Sequence, residues 1–408
     1  ALWRLALPMI FSNITVPLLG LVDTAVIGHL DSPVYLGGVA VGATATSFLF
    51  MLLLFLRMST TGLTAQAWGA KDPQRLARAL VQPLALALGA GVLIILLRLP
   101  LIDLALHIVG GSEAVLEQAR RFLEIRWLSA PASLANLVLL GWLLGVQYAR
   151  APVILLVVGN LLNIVLDLWL VMGLRMNVQG AALATVTAEY ATLIIGLMMA
   201  KRVLTLRGVS LAMLKNAWRG DLRRLLALNR DIMLRSLLLQ LCFGALTVFG
   251  ARLGSDIVAV NAVLMTMLTF TAYALDGFAY AVEAHSGQAY GARESGQLRE
   301  VWRAACRQSG LVALAFGLVY ACFGEQIVAL LTSLPALREL ASHYLIWQVV
   351  LPVVGVWCYL LDGMFIGATR GAEMRNSMAV AAAGFAVTLL TDIVYRACLK
   401  RRIARQQA

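Results

Sequence analysis

Long apolar stretches, separated by short polar segments, occupy almost the whole chain. Each is long enough to cross a bilayer, which takes about 20 predominantly apolar residues. Because backbone groups in lipid must form hydrogen bonds within their own segment, each stretch is expected to be a helix. The pattern therefore predicts an all-α integral membrane protein with about eleven spans. The predicted spans are 4–28, 35–62, 79–106, 121–148, 151–174, 178–200, 232–253, 257–285, 307–332, 343–368 and 375–396.

The segments that connect these spans differ in charge. Basic residues are concentrated in alternate segments, among them 71–78, 201–230 and 293–303. An excess of Lys and Arg is typical of the cytoplasmic loops of a membrane protein. We therefore expect these loops to be cytoplasmic, and the N-terminus with them.

Two segments of the chain are alike. QAWGAKDPQRL at 66–76 matches QAYGARESGQL at 288–298, an offset of 222 residues. At the same offset Gly145 aligns with Gly367. We interpret the chain as two homologous lobes of six transmembrane helices. Transporters commonly use such repeats and bind their ligands near the bilayer midplane.

The repeat divides the chain into three parts. They are an N-terminal six-helix lobe at 1–205, a basic cytoplasmic linker at 206–230 and a C-terminal lobe at 231–408. The C-terminal lobe is expected to be incomplete at its end. After Thr391 the sequence runs DIVYRACLKRRIARQQA, and this basic tail would lie outside if span 375–396 crossed the membrane. We expect the twelfth helix to be missing or altered.

Composition agrees with a membrane protein. Hydrophobic residues make up 61% of the chain and charged residues 13%, whereas soluble domains carry about 25% charged residues. The basic loops explain the net charge of +12, so nucleic-acid binding is not expected. The five cysteines and four histidines show no metal-ligand spacing, and no nucleophile or ATP motif is present. We expect no enzyme, no metal and no cofactor, and an ion gradient as the energy source.

Asp167 lies near the centre of an apolar run, in NLLNIVLDLWLVMG at 160–173. A charge at mid-membrane costs about 2.5–3.5 kcal/mol on insertion scales, so such groups usually face a cavity or a partner. Asn163 is four residues earlier and shares one helix face with Asp167. The carboxylate and the amide oxygen could together hold a small cation or a proton network. The alternative is a polar contact between packed helices.

Asp23 is a second candidate, in GLVDTAVIG. It could instead be an interfacial residue near the end of a helix. The repeat favours a shared function, because the three polar positions of the first half are all apolar in the second. Asp23, Asn163 and Asp167 align with Ala245, Phe385 and Leu389. We infer that the N-terminal half is specialised for ion handling.

Other charged residues also lie within apolar runs, among them Glu283 in span 257–285. Asp276 and Asp362 could line a cavity that attracts cationic compounds, or could make polar contacts between helices. Glu189 and Arg57 could be interfacial or paired, and the sequence assigns them no role.

Five motifs together resemble the multidrug and toxic compound extrusion (MATE) family, in particular its DNA-damage-inducible DinF branch. They are LALPMI with Pro8, GLVDTAVIGHL with Asp23, QAWGAKDPQRL, NLLNIVLD with Asn163 and Asp167, and VQGAALATVTAEY with Thr185. The resemblance implies twelve helices in two lobes around a central cavity. It also implies export of amphipathic, often cationic compounds, driven by inward flow of H⁺ or Na⁺.

The resemblance further implies a cation site in the N-terminal lobe, formed by Asp23, Asn163, Asp167 and Thr185. The proline that matches Pro8 is linked in the family to bending of the first helix. Some relatives carry an acid in the seventh span for Na⁺ coupling, but span 232–253 has none. H⁺ is therefore favoured as the coupling ion, with Na⁺ as the alternative.

We expect a cation-coupled antiporter of the bacterial inner membrane that is a monomer and works by alternating access. Its partners would be the lipid bilayer and small amphipathic or cationic substrates. Neutralising Asp23 and Asp167 would change the packing of the first helix around Pro8 and release the substrate. One alternative is a lipid-linked oligosaccharide flippase of the same superfamily, for which a more basic cavity is expected. Another is a non-transporting membrane receptor or scaffold, which leaves the asymmetric acids unexplained.

Overall fold

The computed structural model describes most of the N-terminal half and three parts of the C-terminal half. The described residues are 33–148, 150–174, 176–206, 222–253, 281–292 and 295–331, with the isolated residues 7, 278, 375, 376, 380 and 383. The predicted span 343–368 lies outside them, as do all of 4–28 except residue 7 and most of 257–285 and 375–396.

Every regular element among the described residues is helical, which confirms the predicted all-α class. The helices are α1 (Pro33–Leu52), α2 (Phe55–Gly69), α3 (Pro73–Leu96), α4 (Arg98–Val109), α5 (Glu113–Arg126), α6 (Ala130–Gly145), α7 (Arg150–Asp167), α8 (Asn177–Leu206), α9 (Leu222–Leu253) and α10 (Ser295–Leu331). Residues 281–291 are also helical. In this part of the chain, five helical stretches are long and apolar enough to cross a membrane.

The predicted span 35–62 is two helices rather than one. A turn at 53–54 separates α1 from α2, and α2 continues to Gly69, beyond the predicted end. The end was misplaced because polar residues lower the hydropathy of the last turns of α2. These residues are buried within the helix packing: Thr64 and Gln66 are 0% and 2% exposed, and the Gln66 side-chain oxygen accepts a hydrogen bond from Arg224 at 3.0 Å.

The predicted span 79–106 is also divided, between α3, which ends at Leu96, and α4. Pro100 explains the break, since it has no N–H to donate to the carbonyl of Leu96 and its ring would conflict with that carbonyl. At its other end α3 begins with a side-chain cap. The Asp72 carboxylate accepts a hydrogen bond from the Gln74 backbone N–H at 3.1 Å, which satisfies one free donor of the first turn.

The core of the N-terminal half lies where α6 packs against α2 and α3. Trp142 of α6 is fully buried, and its indole N–H donates to the Leu76 carbonyl of α3 at 3.1 Å. On another side of α6, a Cβ added at Gly141 would lie 2.6 Å from the Arg57 carbonyl oxygen of α2. Small residues of this kind let helix backbones approach closely in a membrane protein.

The two matching motifs of the repeat contact each other. A Cβ at Gly69 would overlap the Gln288 backbone carbonyl, and a Cβ at Gly291 would overlap the Gln66 backbone carbonyl. The two contacts are related by the repeat, because Gln66 aligns with Gln288 and Gly69 with Gly291. The halves therefore meet at this point through equivalent surfaces.

A buried ion pair also joins the two halves. Arg57 of α2 donates two hydrogen bonds to Glu283, at 3.1 and 3.4 Å. Both side chains are 2% exposed. The paired geometry of guanidinium and carboxylate is the strong form of charge-assisted hydrogen bond. The sequence had left Arg57 without a role, and the structure shows that it joins the two halves.

Glu283→Gln should lower the free energy of unfolding by about 3–5 kcal/mol, because it removes the countercharge that Glu283 provides to a buried guanidinium. The double variant Arg57→Met, Glu283→Leu removes both charges and should recover most of that loss. Unfolding in detergent micelles titrated with SDS measures both. A double variant that is less stable than Glu283→Gln alone would contradict this account.

Gly69→Ala should destabilise the protein by about 1–3 kcal/mol, the usual effect of overpacking, because its methyl group meets a backbone carbonyl. Gly310→Ala is the matched control, since nothing lies within 4 Å of a Cβ at that position in α10. The control should stabilise its helix by about 0.5–1 kcal/mol. Equal effects of the two substitutions in the same unfolding assay would show that the junction is not tightly packed.

Candidate ion and substrate site

Helices α7 and α8 pack side by side and carry the polar residues that the sequence singled out. After Asp167, α7 continues as a π-helical turn at Leu168–Gly173. Single π-helical turns within α-helices occur frequently at functional sites. Asp167 therefore lies where the regular helix ends and its geometry changes.

Three of the four predicted cation-site residues come together here. Asn163 and Asp167 are buried, at 2% and 1% exposure, and lie one turn apart on α7. The Asn163 amide donates to the Thr185 hydroxyl of α8 at 3.4 Å. The Thr185 hydroxyl in turn donates to the Ala181 carbonyl at 3.2 Å. Asn163, Asp167 and Thr185 are called the polar cluster below.

The polar cluster offers oxygen atoms of three kinds: a carboxylate, an amide carbonyl and a hydroxyl. The amide oxygen of Asn163 is buried and accepts no hydrogen bond from any described residue. Oxygen donors suit hard cations rather than transition metals, and a buried carboxylate can also carry a proton. The cluster could therefore hold either of the two coupling ions that the sequence left open.

Four other predicted site residues lie outside the described residues. They are Pro8, Asp23, Asp276 and Asp362. Their roles in bending the first helix, completing the cation site and lining the substrate cavity stay predictions.

A cavity of about 300 Å³ borders the polar cluster. This volume is at the lower end of the range for small-molecule sites. The walls are mostly apolar, with a few polar side chains. Lining residues that bear on function are Phe50, Arg126, Asn136, Asn163, Thr185 and Glu189.

Glu189, to which the sequence assigned no role, lines this cavity. It lies four residues after Thr185 on α8, so the two share a helix face, and this spacing was the signal that could have found it. Asn136 of α6 holds Glu189 in place: its amide donates to the carboxylate at 2.9 Å and to the Glu189 backbone carbonyl at 3.1 Å. The cavity thus has a fixed carboxylate close to the polar cluster.

Arg126 provides a positive charge to the same cavity. It lies in the last turn of α5, where a cation interacts favourably with the helix dipole. Its guanidinium carbon is 5.4 Å from the centroid of the Phe50 ring, a cation–π distance. The cavity therefore presents both signs of charge on mostly apolar walls.

Each half of the chain matches the same known protein family. The sequence profile of the MatE family matches residues 8–169 and 232–394, once in each half. These two matches confirm the internal repeat. Over 391 residues the chain is 86% identical to "DNA damage-inducible protein F" of Escherichia coli K12, which covers 96% of this chain and 85% of that protein.

The chain is also similar to more distant relatives. The chain is 23% identical over 364 residues to the "Probable multidrug resistance protein NorM" of Acinetobacter baylyi, covering 87% of this chain and 80% of that protein. It also resembles the solved outward-facing structure of a multidrug resistance MATE family transporter of the MOP superfamily. That likeness has a TM-score of 0.79 and 25% identity, and covers 92% of this chain and 84% of the other.

Thr185→Val should lower the free energy of unfolding by about 1 kcal/mol, because the buried Asn163 amide loses its hydrogen-bond acceptor. Thr187→Val is the matched control on the same helix. Thr187 is exposed and bonds only to the Leu183 carbonyl within its own helix. The control should change stability by no more than about 0.5 kcal/mol. SDS titration of both variants tests the difference. If Thr185→Val leaves the free energy of unfolding unchanged, the bond between Asn163 and Thr185 does not stabilise the site.

Proposed function

Because the chain belongs to the MatE family, we propose that it is a cation-coupled antiporter that exports amphipathic or cationic compounds by alternating access. Membership makes it a multi-pass membrane transporter. The DinF branch is the one to which its 86% identical relative belongs. H⁺ is the proposed coupling ion and Na⁺ the alternative. The bacterial inner membrane, with the N-terminus on the cytoplasmic side, is the proposed location.

One observation carries this proposal: the polar cluster and the cavity share residues. Asn163 and Thr185 line the cavity and also bond to each other in the cluster beside Asp167. An ion bound at the cluster would therefore change the wall of the substrate cavity directly. Coupling requires that each ligand binds the two conformations with different affinity, and a shared wall is a direct way to achieve this.

In the proposed cycle, a proton enters from outside and neutralises Asp167, together with Asp23. A buried carboxylate is strongly disfavoured in its charged form, so the loss of charge alters which helix packing is stable. The first helix would repack around Pro8, and the substrate would leave. When the proton is released to the cytoplasm, the charged cluster would again favour a cationic substrate.

Alternating access also requires the halves to separate on one side. The junction of Gly69 with Gln288 lies next to the basic segment 71–78, which is predicted to be cytoplasmic. The ion pair of Arg57 with Glu283 joins the same two helical segments. We propose that this junction closes the cytoplasmic side, and that it parts when the cavity faces inward.

The flippase alternative is less well supported by the cavity. Binding a lipid pyrophosphate would favour several cations in the wall. Among the described lining residues, the cavity within the N-terminal half has Arg126 and also the carboxylate of Glu189. This mixed charge suits a cationic or zwitterionic compound better than a multiply charged anion.

Accumulation of ethidium in energised inverted membrane vesicles tests the proposal. A proton gradient should drive dye uptake, and Asp167→Asn should reduce it by about 100-fold, near the upper end of usual coupling between two ligands. Imposing a sodium gradient instead distinguishes the two coupling ions.

Asp103→Asn is the matched control for this experiment. Asp103 is an exposed residue of α4 that pairs with Arg120, and its substitution should leave uptake unchanged. Comparable amounts of each protein in the vesicles exclude a loss of folding. Normal uptake by Asp167→Asn would show that the polar cluster only packs helices together.

A further inference from the structure

Glu189 occupies an unusual place for a carboxylate in a membrane-spanning helix. It is half-buried on α8 and lines the cavity. The ion pairs among the described residues join Arg57 with Glu283, Arg120 with Asp103, Arg121 with Glu117, and Arg230 and Arg375 with Asp231. None of them includes Glu189. Ionisable groups within membrane spans commonly mark substrate or ion pathways.

The carboxylate of Glu189 is held in a defined position. The Asn136 amide donates to one carboxylate oxygen at 2.9 Å and to the backbone carbonyl of the same residue at 3.1 Å. These bonds come from a neutral side chain, so they orient the carboxylate without neutralising its charge. The group is pre-organised, which lowers the entropy lost when a ligand binds.

Glu189 and the polar cluster differ in the size of cation that they can accept. Asn163 and Asp167 are almost completely buried, which suits a proton or a small metal ion. Glu189 is four residues from Thr185, about 6 Å along the helix axis, and lies on the open cavity. Apolar side chains line much of the same cavity, among them Phe50, Leu137 and Leu155, and Arg126 also borders it. An organic cation could therefore place its charge at Glu189 and its apolar body against these side chains.

We propose that Glu189 is the specificity-determining residue for positively charged substrates, and that it binds the charge of an organic monocation while the polar cluster holds the coupling ion. This inference rests on the proposed export function. The substrate's charge then binds to a fixed carboxylate at the cavity wall. The coupling ion binds to a buried set of oxygen atoms next to it. Glu189 then selects the substrate and does not carry the coupling proton.

Vesicle transport of two dyes tests this assignment, with ethidium as the cation and Nile red as an uncharged probe. Glu189→Gln keeps the shape of the side chain and its bond with Asn136. It should raise the KM for ethidium by about 10- to 100-fold, as expected for loss of a hydrogen bond to a charged group. The KM for Nile red, the maximal rates and the proton flux per dye should stay unchanged. Glu300→Gln, the same change at an exposed position of α10, should alter neither dye.

Two further measurements keep the test decisive. Glu189→Asp retains the charge on a shorter side chain, so its preference for ethidium over Nile red should lie between those of the wild type and Glu189→Gln. Equilibrium binding of ethidium to purified protein, followed by dye fluorescence, measures affinity without transport. Glu189→Gln should weaken this affinity by the same factor as the KM.

The possible failures are distinguishable. If wild-type vesicles accumulate neither dye, the proposed export function is wrong. If the wild type transports ethidium and Glu189→Gln does so with the same KM and affinity, only the present inference is overturned. Loss of both dyes together with loss of proton flux would also overturn it, because Glu189 would then belong to the coupling site.

Discussion

A buried ion pair between the two halves is the constraint on which the described arrangement depends. Arg57 and Glu283 are separated by 226 residues along the chain, yet their side chains meet at 3.1 Å with almost no exposure. Either charge alone would be strongly unfavourable there. The close contacts of Gly69 and Gly291 with the opposite half join the same two helical segments. The helices that carry the polar cluster are thus positioned relative to a junction that tolerates little variation.

Polar contacts between helices also organise the interior of the N-terminal half. Buried polar groups cost free energy unless they are hydrogen-bonded, and the structure pairs them across helices: Asn163 with Thr185, and Asn136 with Glu189. Each pair joins α8 to a neighbouring helix, so the polar residues both hold the helices in place and shape the cavity. This double role means that a change in charge at the site also changes helix packing, which is what an ion-coupled conformational change requires.

Residues placed by local periodicity were predictable from the sequence, whereas residues placed by contacts between helices were not. The four-residue spacing correctly placed Asn163 and Asp167 on one face of a helix, because helical periodicity is a local property. Thr185 was found only through the family resemblance, since nothing in its local sequence points to Asn163 on another helix. Glu189 was left without a role because a single acid in an apolar run looks the same whether it faces lipid headgroups, another helix or a cavity. The end of α2 was misplaced because hydropathy does not reveal that the polar residues of its last turns, Thr64 and Gln66, are buried against other helices.

The sequence by itself determined that this is a helical membrane protein, that it is built from two related halves, and which family it resembles. These properties depend on composition, on local periodicity and on the match between two segments, all of which can be compared along the chain. Only the tertiary structure decided that Arg57 pairs with Glu283, that Asn136 holds Glu189, and that the cavity borders the polar cluster. Those contacts join residues on different helices, and their energies depend on distance and burial in three dimensions, which hydropathy and spacing along a single chain do not specify.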